Sequence, residues 1–378
     1  MGEADPRENV QLIAYADRFG GSLAGLHEIL DGPLEGLFAG VHVLPFFTPF
    51  DGADAGFDPV DHTEVDPRLG SWDDVRALAG EYALMVDLIV NHVSADSAQF
   101  RDVLARGDAS PYAGMFLTMS DVYPGGADEA ELVGIYRPRP GLPFTTLKLG
   151  ERRRLVWTTF TSAQIDLNLA DPAGRAYLDR VLVALAEGGV SMVRLDAVGY
   201  AIKTAGTSSF MTARTLGFID ELTARARELG VQVLVEIHAH FERQIAIGSA
   251  VDPTTSACSR GATIWTCSRS GVGRDINRHT YTPDEIARDL ARPVVAALVA
   301  LIRLRNAHPA FAGHCEVGGD GSHVTLAWTA AADTATAAVT QSAALDADLA
   351  TGRAKLAWTG PDGEAHTCHD LREIRHGY

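Results

Sequence analysis

The sequence predicts an α/β protein built on a (β/α)8-type barrel, followed by a small antiparallel β domain. Apolar runs alternate with segments of helical periodicity, which is typical of a parallel sheet covered by helices. This alternation repeats through five apolar runs before residue 240. Beyond residue 310 the pattern changes to short alternating segments, which indicate antiparallel strands.

The barrel strands are predicted from continuous apolar runs, because strands buried on both faces of a sheet carry few polar residues. A doubly wound open sheet would show the same alternation and is the structural alternative. The predicted strands are 10–16, 40–47, 83–90, 191–197 and 231–237.

The helices are predicted from periodicity together with their terminal signals. The segment 71–82 begins with Ser71, a favourable N-cap, and has acidic residues in its first turn. The segment 172–189 is amphipathic and stops at glycine. Pro293 is expected to bend the last long helix. The predicted helices are 23–30, 71–82, 172–189, 207–229 and 284–308.

The stretch 94–170 interrupts this rhythm and is rich in proline, glycine and aromatic residues. Insertions at such a position usually form functional loops over the catalytic face of a barrel. We therefore expect a catalytic barrel domain over 1–309 that contains this insertion. The C-terminal β domain is expected over 310–378.

The composition excludes several classes of partner. The formal net charge of −17 argues against nucleic acid and anionic membranes as main partners, because both are polyanions. No run of eighteen apolar residues is present, and the N-terminal residues have neither the basic nor the apolar region of a secretory signal. We expect a cytoplasmic protein. The four cysteines lack the spacing of a zinc site, so free thiols are expected.

Two of the apolar strands end in charged residues, which are unexpected in a strand that is buried on both faces. Arg194 and Asp196 end the fourth predicted strand, and Glu236 ends the fifth. Neighbouring strands lie about 4.8 Å apart, so two such carboxyls could approach the ~5 Å separation of retaining glycosidases. Arg194 lies on the same side of its strand as Asp196 and would keep that carboxylate ionised.

The third predicted strand is closed by polar residues as well, namely Asp87, Asn91 and His92. His92 could donate a hydrogen bond to a sugar hydroxyl. A simpler interpretation of these strand ends is a structural ion pair between Arg194 and Asp196 and a histidine bonded within the protein.

Longer motifs carry a resemblance to a known family. The strand ends around His92, Asp196 and Glu236 resemble the first three signature regions of the α-amylase superfamily. Within that superfamily the chain is similar to the sucrose phosphorylase family over about 1–250 and 270–310. The motifs are "FDGADAGFDPVDHTEVDPRLGSWDDV", "IYRPRPGLPF", "WTTFTSAQIDLN", "RLDAVGYAIKTAGTSSF" and "GVGRDINRH".

The resemblance implies a double displacement in which phosphate takes the glucosyl unit of sucrose and fructose leaves. Asp196 would be the nucleophile and Glu236 the general acid and base. No metal or organic cofactor is implied, and the partners are sucrose and inorganic phosphate. The resemblance further assigns Asp51, Arg274, His92, Arg194, Phe57, Phe160 and Gln164 to the glucosyl pocket, and Arg139, Tyr200 and His238 to the acceptor side.

The chain departs from the family after residue 252. The superfamily uses a third acid, an aspartate after a histidine at the end of the seventh strand, and no counterpart is found. The only "HD", His369–Asp370, lies in the terminal β domain. Only about eighteen residues fill the space of strands six to eight, and 253–274 contains no acidic residue. We interpret this as an internal deletion or a frameshift around 253–269 that leaves an incomplete barrel.

These departures predict a loss of activity. Losing one preorganised group at a transition state costs about 10²–10³ in rate, and losing the neighbouring wall adds to it. We therefore expect at least a thousandfold deficit relative to a full-length relative. The alternatives are a hydrolase or transglycosylase of the same superfamily, a phosphorylase of another glucoside, and an inactive remnant that at most binds sugar. An aldolase is disfavoured, because no lysine closes a predicted strand. A homodimer is compatible with the sequence.

Overall fold

The computed structural model describes residues 10–50, 55–237, 239–248, 256–259, 279–330, 341–360 and 363–370. The chain divides into two compact units. One unit is made of Met1–Leu12, Leu26–Gly40 and Tyr281–Tyr378, and the other of Ile13–Gly25 and Val41–Thr280. The larger unit holds the residues at the predicted strand ends.

The strands follow the predicted order, with shorter bounds. They are β1 (Gln11–Ala14), β2 (Gly40–Val43), β3 (Ala83–Ile89), β4 (His92–Ser94), β5 (Phe144–Leu149), β6 (Arg152–Trp157), β7 (Gln164–Asp166), β8 (Met192–Asp196), β9 (Gln232–Ile237), β10 (Ser256–Ser259), β11 (His314–Asp320), β12 (His323–Ala330), β13 (Gln341–Asp348), β14 (Arg353–Thr359) and β15 (Ala365–Cys368).

The helices lie between these strands and at the start of the terminal region. They are α1 (Leu23–Asp31), α2 (Trp72–Glu81), α3 (Ala98–Arg106), α4 (Met119–Val122), α5 (Glu129–Gly134), α6 (Pro172–Glu187), α7 (Ala213–Glu228), α8 (Phe241–Gly248), α9 (Pro283–Leu290) and α10 (Pro293–Ala307).

The main sheet has six strands in the order β1-β2-β3-β8-β9-β10, and β8 pairs in parallel with both of its neighbours. All five predicted barrel strands are therefore present in sequence order. Their apolar side chains form the core, and Leu88, Ile89, Leu195 and Val235 are completely buried. This agrees with a sheet covered on both faces.

A sixth strand in this sheet corrects the sequence analysis, which expected none after β9. Residues 256–259 form β10, and Ser256 lies opposite Leu234 in a parallel ladder. The segment Ser-Ala-Cys-Ser has no apolar run, so the strand signal was absent. Backbone hydrogen bonding to the edge of β9 is enough to place it. The incomplete barrel stays a prediction.

Two predicted helices differ from the structure. Residues 207–212 form a loop with Ser209 and Met211 at positive φ, so α7 begins only after its N-cap Thr212. The predicted helix over 284–308 is two helices rather than one bent helix. Arg292 adopts an extended ψ of 136° before Pro293, as proline demands of the residue that precedes it.

The insertion forms two small sheets and has a core of its own. β4 pairs with β7 in an antiparallel ribbon, and β5 pairs with β6 in a hairpin. Leu117, Tyr123 and Trp157 make up its buried apolar cluster. The ribbon begins at His92, two residues before the predicted start of the insertion, so it is continuous with the end of β3.

The terminal region forms a five-stranded antiparallel sheet in the order β11-β12-β13-β14-β15, as the alternating pattern predicted. Leu304 of α10 packs in one cluster with Leu356 and Cys368. Cys315 is an exposed free thiol and Cys368 a buried one. The predicted strand segment 334–340 and the side chains of Cys258 and Cys267 lie outside the described residues. Within the described parts of the chain, no helix is long and apolar enough to cross a membrane.

Candidate active site

The register of the main sheet places Asp196 and Glu236 side by side. Leu195 lies opposite Val235 in the parallel ladder, and each carboxylate residue follows by one position. Laterally paired residues of parallel strands point to the same face, about 4.8 Å apart at the backbone. Both residues are buried, at 5% and 9% exposure. The two carboxyl groups therefore emerge together at the C-terminal end of the sheet.

One guanidinium group contacts both carboxylates. Arg194 Nη2 donates to Asp196 Oδ1 at 3.0 Å, and Arg194 Nη1 lies 3.9 Å from Glu236 Oε1. Burial acts to lower the pKa of Arg194, but Asp87, Asp196 and Glu236 outweigh it and hold the pKa above its ordinary value. The group is a permanent cation between the two acids, and it favours the ionised form of its bonded partner Asp196.

Asp87 fixes the other end of Arg194. The two residues are laterally paired on β3 and β8, and Arg194 Nε donates to Asp87 Oδ1 at 2.5 Å. Burial acts to raise the pKa of Asp87, but His42 and Arg194 overcome it and hold the pKa below its ordinary value. His42 Nε2 lies 3.3 Å from Asp87 Oδ2. Polar side chains from β2, β3, β8 and β9 thus form one continuous row.

The backbone after Asp196 is held in an uncommon conformation. Ala197 adopts a left-handed conformation, with φ 56° and ψ 17°, and its N–H donates to Glu236 Oε2 at 3.3 Å. Such a conformation costs a non-glycine residue roughly 1–2 kcal/mol. The turn therefore joins the backbone after one carboxylate to the other carboxylate, and strain of this kind is common at functional sites.

His92 and Gln164 lie on the two strands of the ribbon and converge on one carbonyl. His92 Nε2 is 2.8 Å from the Phe57 carbonyl oxygen, and Gln164 Nε2 donates to the same oxygen at 3.2 Å. Both side chains are buried. His92 was expected to donate to a sugar hydroxyl, yet in this structure its Nε2 is engaged with protein.

Aromatic rings cover these polar groups. The Phe57 ring lies 5.8 Å from the Arg194 guanidinium carbon, within the range of a cation–π contact. Phe160 lies 5.2 Å from the His92 ring and 5.2 Å from the Tyr200 ring, measured between centroids. The predicted residues Phe57, His92, Phe160, Gln164 and Tyr200 are thus brought together with Arg194 in one contiguous cluster.

The two arginines of the "RPRPG" loop have different environments. Arg137 donates from Nε to the Thr159 carbonyl at 3.1 Å and from Nη1 to the Leu142 carbonyl at 2.5 Å, which pins the loop. Arg139 is half-buried, and no described residue offers it a carboxylate or carbonyl partner. Among the described residues, the predicted acceptor-side arginine therefore has no such protein partner.

Three predicted site residues lie outside the described residues, namely Asp51, His238 and Arg274. His369 and Asp370 directly follow β15, the last strand of the terminal antiparallel sheet. This position agrees with the sequence argument that they are not the third acid, which has to follow a barrel strand.

Sequence reasoning missed His42 and the buried ion pair of Lys203 with Asp166. Lys203 lies seven positions after Asp196, in the loop that follows β8, where no sequence spacing indicates a partner. His42 is a single polar residue within an apolar strand, and that exception was the available signal. Asp87 was noticed, but its bond to Arg194 required the register of β3 and β8.

A cavity of about 470 Å³ opens beside the ends of β1 and β2. Its arginines, Arg18 and Arg68, pair with their neighbours Asp17 and Asp66. Among the predicted site residues that the structure describes, none lines this cavity.

Comparison with protein-family models gives a match to the alpha amylase catalytic domain over residues 8–228. Two curated relatives are sucrose phosphorylases. That of Bifidobacterium adolescentis is 53% identical over 247 residues, covering 65% of this chain and 49% of the relative. That of Agrobacterium vitis is 55% identical over 249 residues, covering 65% and 51%. The chain thus spans about half the length of these relatives.

A solved structure matches across nearly all of both chains. It is sucrose 6F-phosphate phosphorylase from Thermoanaerobacter thermosaccharolyticum, with a TM-score of 0.83 and 25% identity. The match covers 98% of this chain and 100% of the other. The fold is therefore that of the alpha-amylase type, with its C-terminal antiparallel sheet.

Proposed function

Because the chain belongs to the alpha-amylase family through its catalytic domain, we propose that it transfers the glucosyl unit of sucrose to inorganic phosphate. The products would be α-glucose 1-phosphate and fructose, as in the sucrose phosphorylases that it resembles. The observation that carries the proposal is the position of Asp196 and Glu236 directly after the laterally paired Leu195 and Val235 of adjacent strands, with Arg194 in contact with both carboxylates.

In the first step Asp196 attacks C1 of the glucosyl unit, and the bond from C1 to the fructose oxygen breaks. Glu236 gives its proton to that oxygen, so fructose leaves as a neutral molecule. Arg194 supports this division of labour, because its hydrogen bond to Asp196 favours an ionised nucleophile. Glu236 lies farther from the guanidinium, at 3.9 Å, and we assign it the role of proton donor.

In the second step a phosphate oxygen attacks C1 from the face that fructose left, and the bond to Asp196 breaks. Glu236 takes the proton of the attacking phosphate, which restores the starting state. Two inversions leave the α-configuration unchanged. Phosphate is an anion entering a site that contains two acids, and Arg139, for which the described residues offer no carboxylate partner, is the cation that would receive it.

The glucosyl pocket is assigned from the same cluster. Phe57 and Phe160 would give apolar faces to the sugar ring, while Arg194, Gln164 and His92 would serve its hydroxyls or hold the wall behind them. Tyr200 would line the acceptor side with Arg139. The family resemblance adds Asp51 and Arg274 to the pocket and His238 to the acceptor side.

The missing third acid favours a second candidate, a remnant that binds sugar with little or no turnover. A hydrolase, a transglycosylase, or a phosphorylase of a related glucoside such as sucrose 6F-phosphate shares the carboxylate pair. These candidates differ in acceptor. Product formation with and without phosphate distinguishes a hydrolase or a transglycosylase from a phosphorylase. Assays with sucrose and with sucrose 6F-phosphate distinguish the two kinds of phosphorylase.

Trapping of the covalent intermediate tests the proposal without fast turnover. A 2-fluoro-glucosyl fluoride slows the second step more than the first, so a single reaction event leaves a labelled protein. We expect the label on the peptide that contains Asp196, no label in Asp196→Asn, and an unchanged label in the exposed control Glu228→Gln. A label on another residue, or none together with no sucrose binding, would contradict the proposal.

Steady-state assay tests the predicted deficit separately. The purified chain with sucrose and phosphate should form glucose 1-phosphate at least about a thousandfold more slowly than a full-length relative. Turnover equal to that of the relative would show that the third acid is dispensable here, and it would leave the assignment of the carboxylate pair in place.

A further inference from the structure

Lys203 is a buried lysine that is not itself among the proposed catalytic and sugar-binding residues. It contacts several of the chain segments on which those residues lie. The side chain of Lys203 is 2% exposed and forms an ion pair with Asp166. Lys203 Nζ also donates to Asn91 Oδ1 at 2.7 Å and lies 5.9 Å from the centre of the Trp157 ring. A buried ammonium group is rare unless it is fully paired, and here carboxylate, amide and ring partners surround it.

The partners of Lys203 are immediate neighbours of proposed sugar-binding residues. Asn91 directly precedes His92, and Asp166 lies two residues after Gln164 on β7. Asp166 in turn accepts hydrogen bonds from the Thr159 N–H at 2.9 Å and the Thr159 hydroxyl at 2.6 Å. Thr159 directly precedes Phe160.

Lys203 itself belongs to the loop that follows the nucleophile strand. It lies three residues after Tyr200 and seven after Asp196. One ammonium group thus joins the loop after β8 to Asn91 directly before β4, to β7 and, through Asp166, to the segment before Phe160.

We propose that Lys203 is a positioning residue that fixes His92, Gln164, Phe160 and Tyr200 relative to the nucleophile by tying their segments to one buried charge. The roles of these residues in sugar binding rest on the proposed function, whereas the positioning itself rests on the hydrogen bonds and the ion pair of Lys203. Lys203 does not touch the reacting atoms. Its effect should therefore appear in sugar binding and in the rigidity of the tied segments.

Two variants distinguish the loss of the Lys203 charge alone from the loss of the whole ion pair between Lys203 and Asp166. Lys203→Met alone leaves Asp166 buried without its cation, which is strongly destabilising. The double variant Lys203→Met with Asp166→Asn removes both charges, keeps similar volumes, and leaves an amide oxygen to accept from Thr159. Buried ion pairs replaced as a whole by neutral groups of similar volume generally keep the fold. Lys148→Met, in an exposed ion pair, is the matched control.

Calorimetric titration with sucrose and amide hydrogen exchange are the measurements. We expect the double variant to melt within a few degrees of the wild type, to bind sucrose at least tenfold more weakly, and to exchange at least tenfold faster at 91–94 and 198–203. Lys148→Met should match the wild type in all three. A double variant with wild-type binding and exchange would overturn the inference.

A third variant keeps the test decisive if the double variant fails to fold. Asn91→Ala preserves the ion pair and removes one tether, so exchange should rise at 91–94 while α6 stays protected. Unchanged exchange there would also overturn the inference. If the wild type binds no sucrose, the proposed function fails, and the exchange comparison still decides whether Lys203 positions these segments.

Discussion

Arg194 holds the charged groups of the site together, because its single guanidinium cation has three carboxylates as neighbours. Its Nε is committed to Asp87, and its Nη2 to Asp196. The bond to Asp87 fixes the plane of the guanidinium group, so the direction of the second bond follows from the first. Asp87 therefore positions the guanidinium group that donates to Asp196.

Replacement of Asp87 by asparagine tests this arrangement through stability. Removing one partner of a buried ion pair costs about 3–5 kcal/mol, so Asp87→Asn should lower the free energy of unfolding by that amount at pH 7. Urea denaturation measures it. Asp73→Asn, whose side chain is 89% exposed beside Arg76, should change it by less than about 0.5 kcal/mol.

The Asp87→Asn variant should also change how the free energy of unfolding depends on pH in the acid range. The pKa of Asp87 is lower in the folded chain than its ordinary value, so the unfolded chain takes up the proton first as the pH falls. Its contribution to stability is complete above about pH 4 and is lost below. Asp87→Asn should lose less stability between pH 5 and pH 3 than the wild type does. An equal loss would contradict the assigned pKa direction.

At the scale of elements, helix α6 shows how local signals set the ends of a segment. Asp171 Oδ1 accepts from the Ala173 N–H at 2.8 Å and caps the helix, and Pro172 occupies the first position. Glu187 ends the helix, where the negative end of the helix dipole disfavours an acid. The two acidic residues at opposite ends should therefore have effects of opposite sign.

Asp171→Ala should lower the free energy of unfolding by about 1 kcal/mol, since the first-turn N–H loses its acceptor. Glu187→Gln should raise it by about 0.3 kcal/mol or more at low ionic strength, since the unfavourable dipole interaction is removed. Thermal unfolding of both variants at low and at 0.5 M salt measures the pair. A destabilised Glu187→Gln would show that an unrecognised contact outweighs the dipole.

Elements also show where sequence patterns reach their limit. The five apolar strands, the Ser71 N-cap of α2 and the glycine that ends α6 are encoded locally, and all were predicted. The N-cap Asp171 of α6 was not predicted. β10 was not, because its four residues acquire strand geometry only by pairing with β9. The separation of α9 from α10 was underestimated, because the effect of Pro293 on Arg292 breaks the helix rather than bending it.

At the scale of the whole molecule, buried neutral histidine makes the fold sensitive to acid. His62 is completely buried, and its Nδ1 lies 2.7 Å from the Tyr177 hydroxyl. Burial, with a smaller contribution from His92, lowers the pKa of His62 to about 3. Unfolding releases this histidine into water, where it binds a proton near pH 6.5.

The unfolded chain therefore binds one more proton than the folded chain between these two pKa values. Stability is complete above pH 6.5 and should fall by up to about 1.4 kcal/mol per pH unit below it. Urea denaturation between pH 7.5 and pH 4.5 measures the slope. His62→Gln should flatten it, whereas Tyr177→Phe, which keeps the histidine buried, should retain it. A slope unchanged in His62→Gln would refute the assignment.

The sequence by itself determined the order of the strands, the carboxylates that close two of them and the family to which the chain belongs, because these depend on local apolar runs and on motifs read along the chain. Only the tertiary structure decided which of these groups meet. The pairing of Asp87 with Arg194 and the burial of Lys203 against Asp166 join residues more than thirty positions apart. Such contacts are set by sheet register and loop paths, which no local pattern of residues specifies.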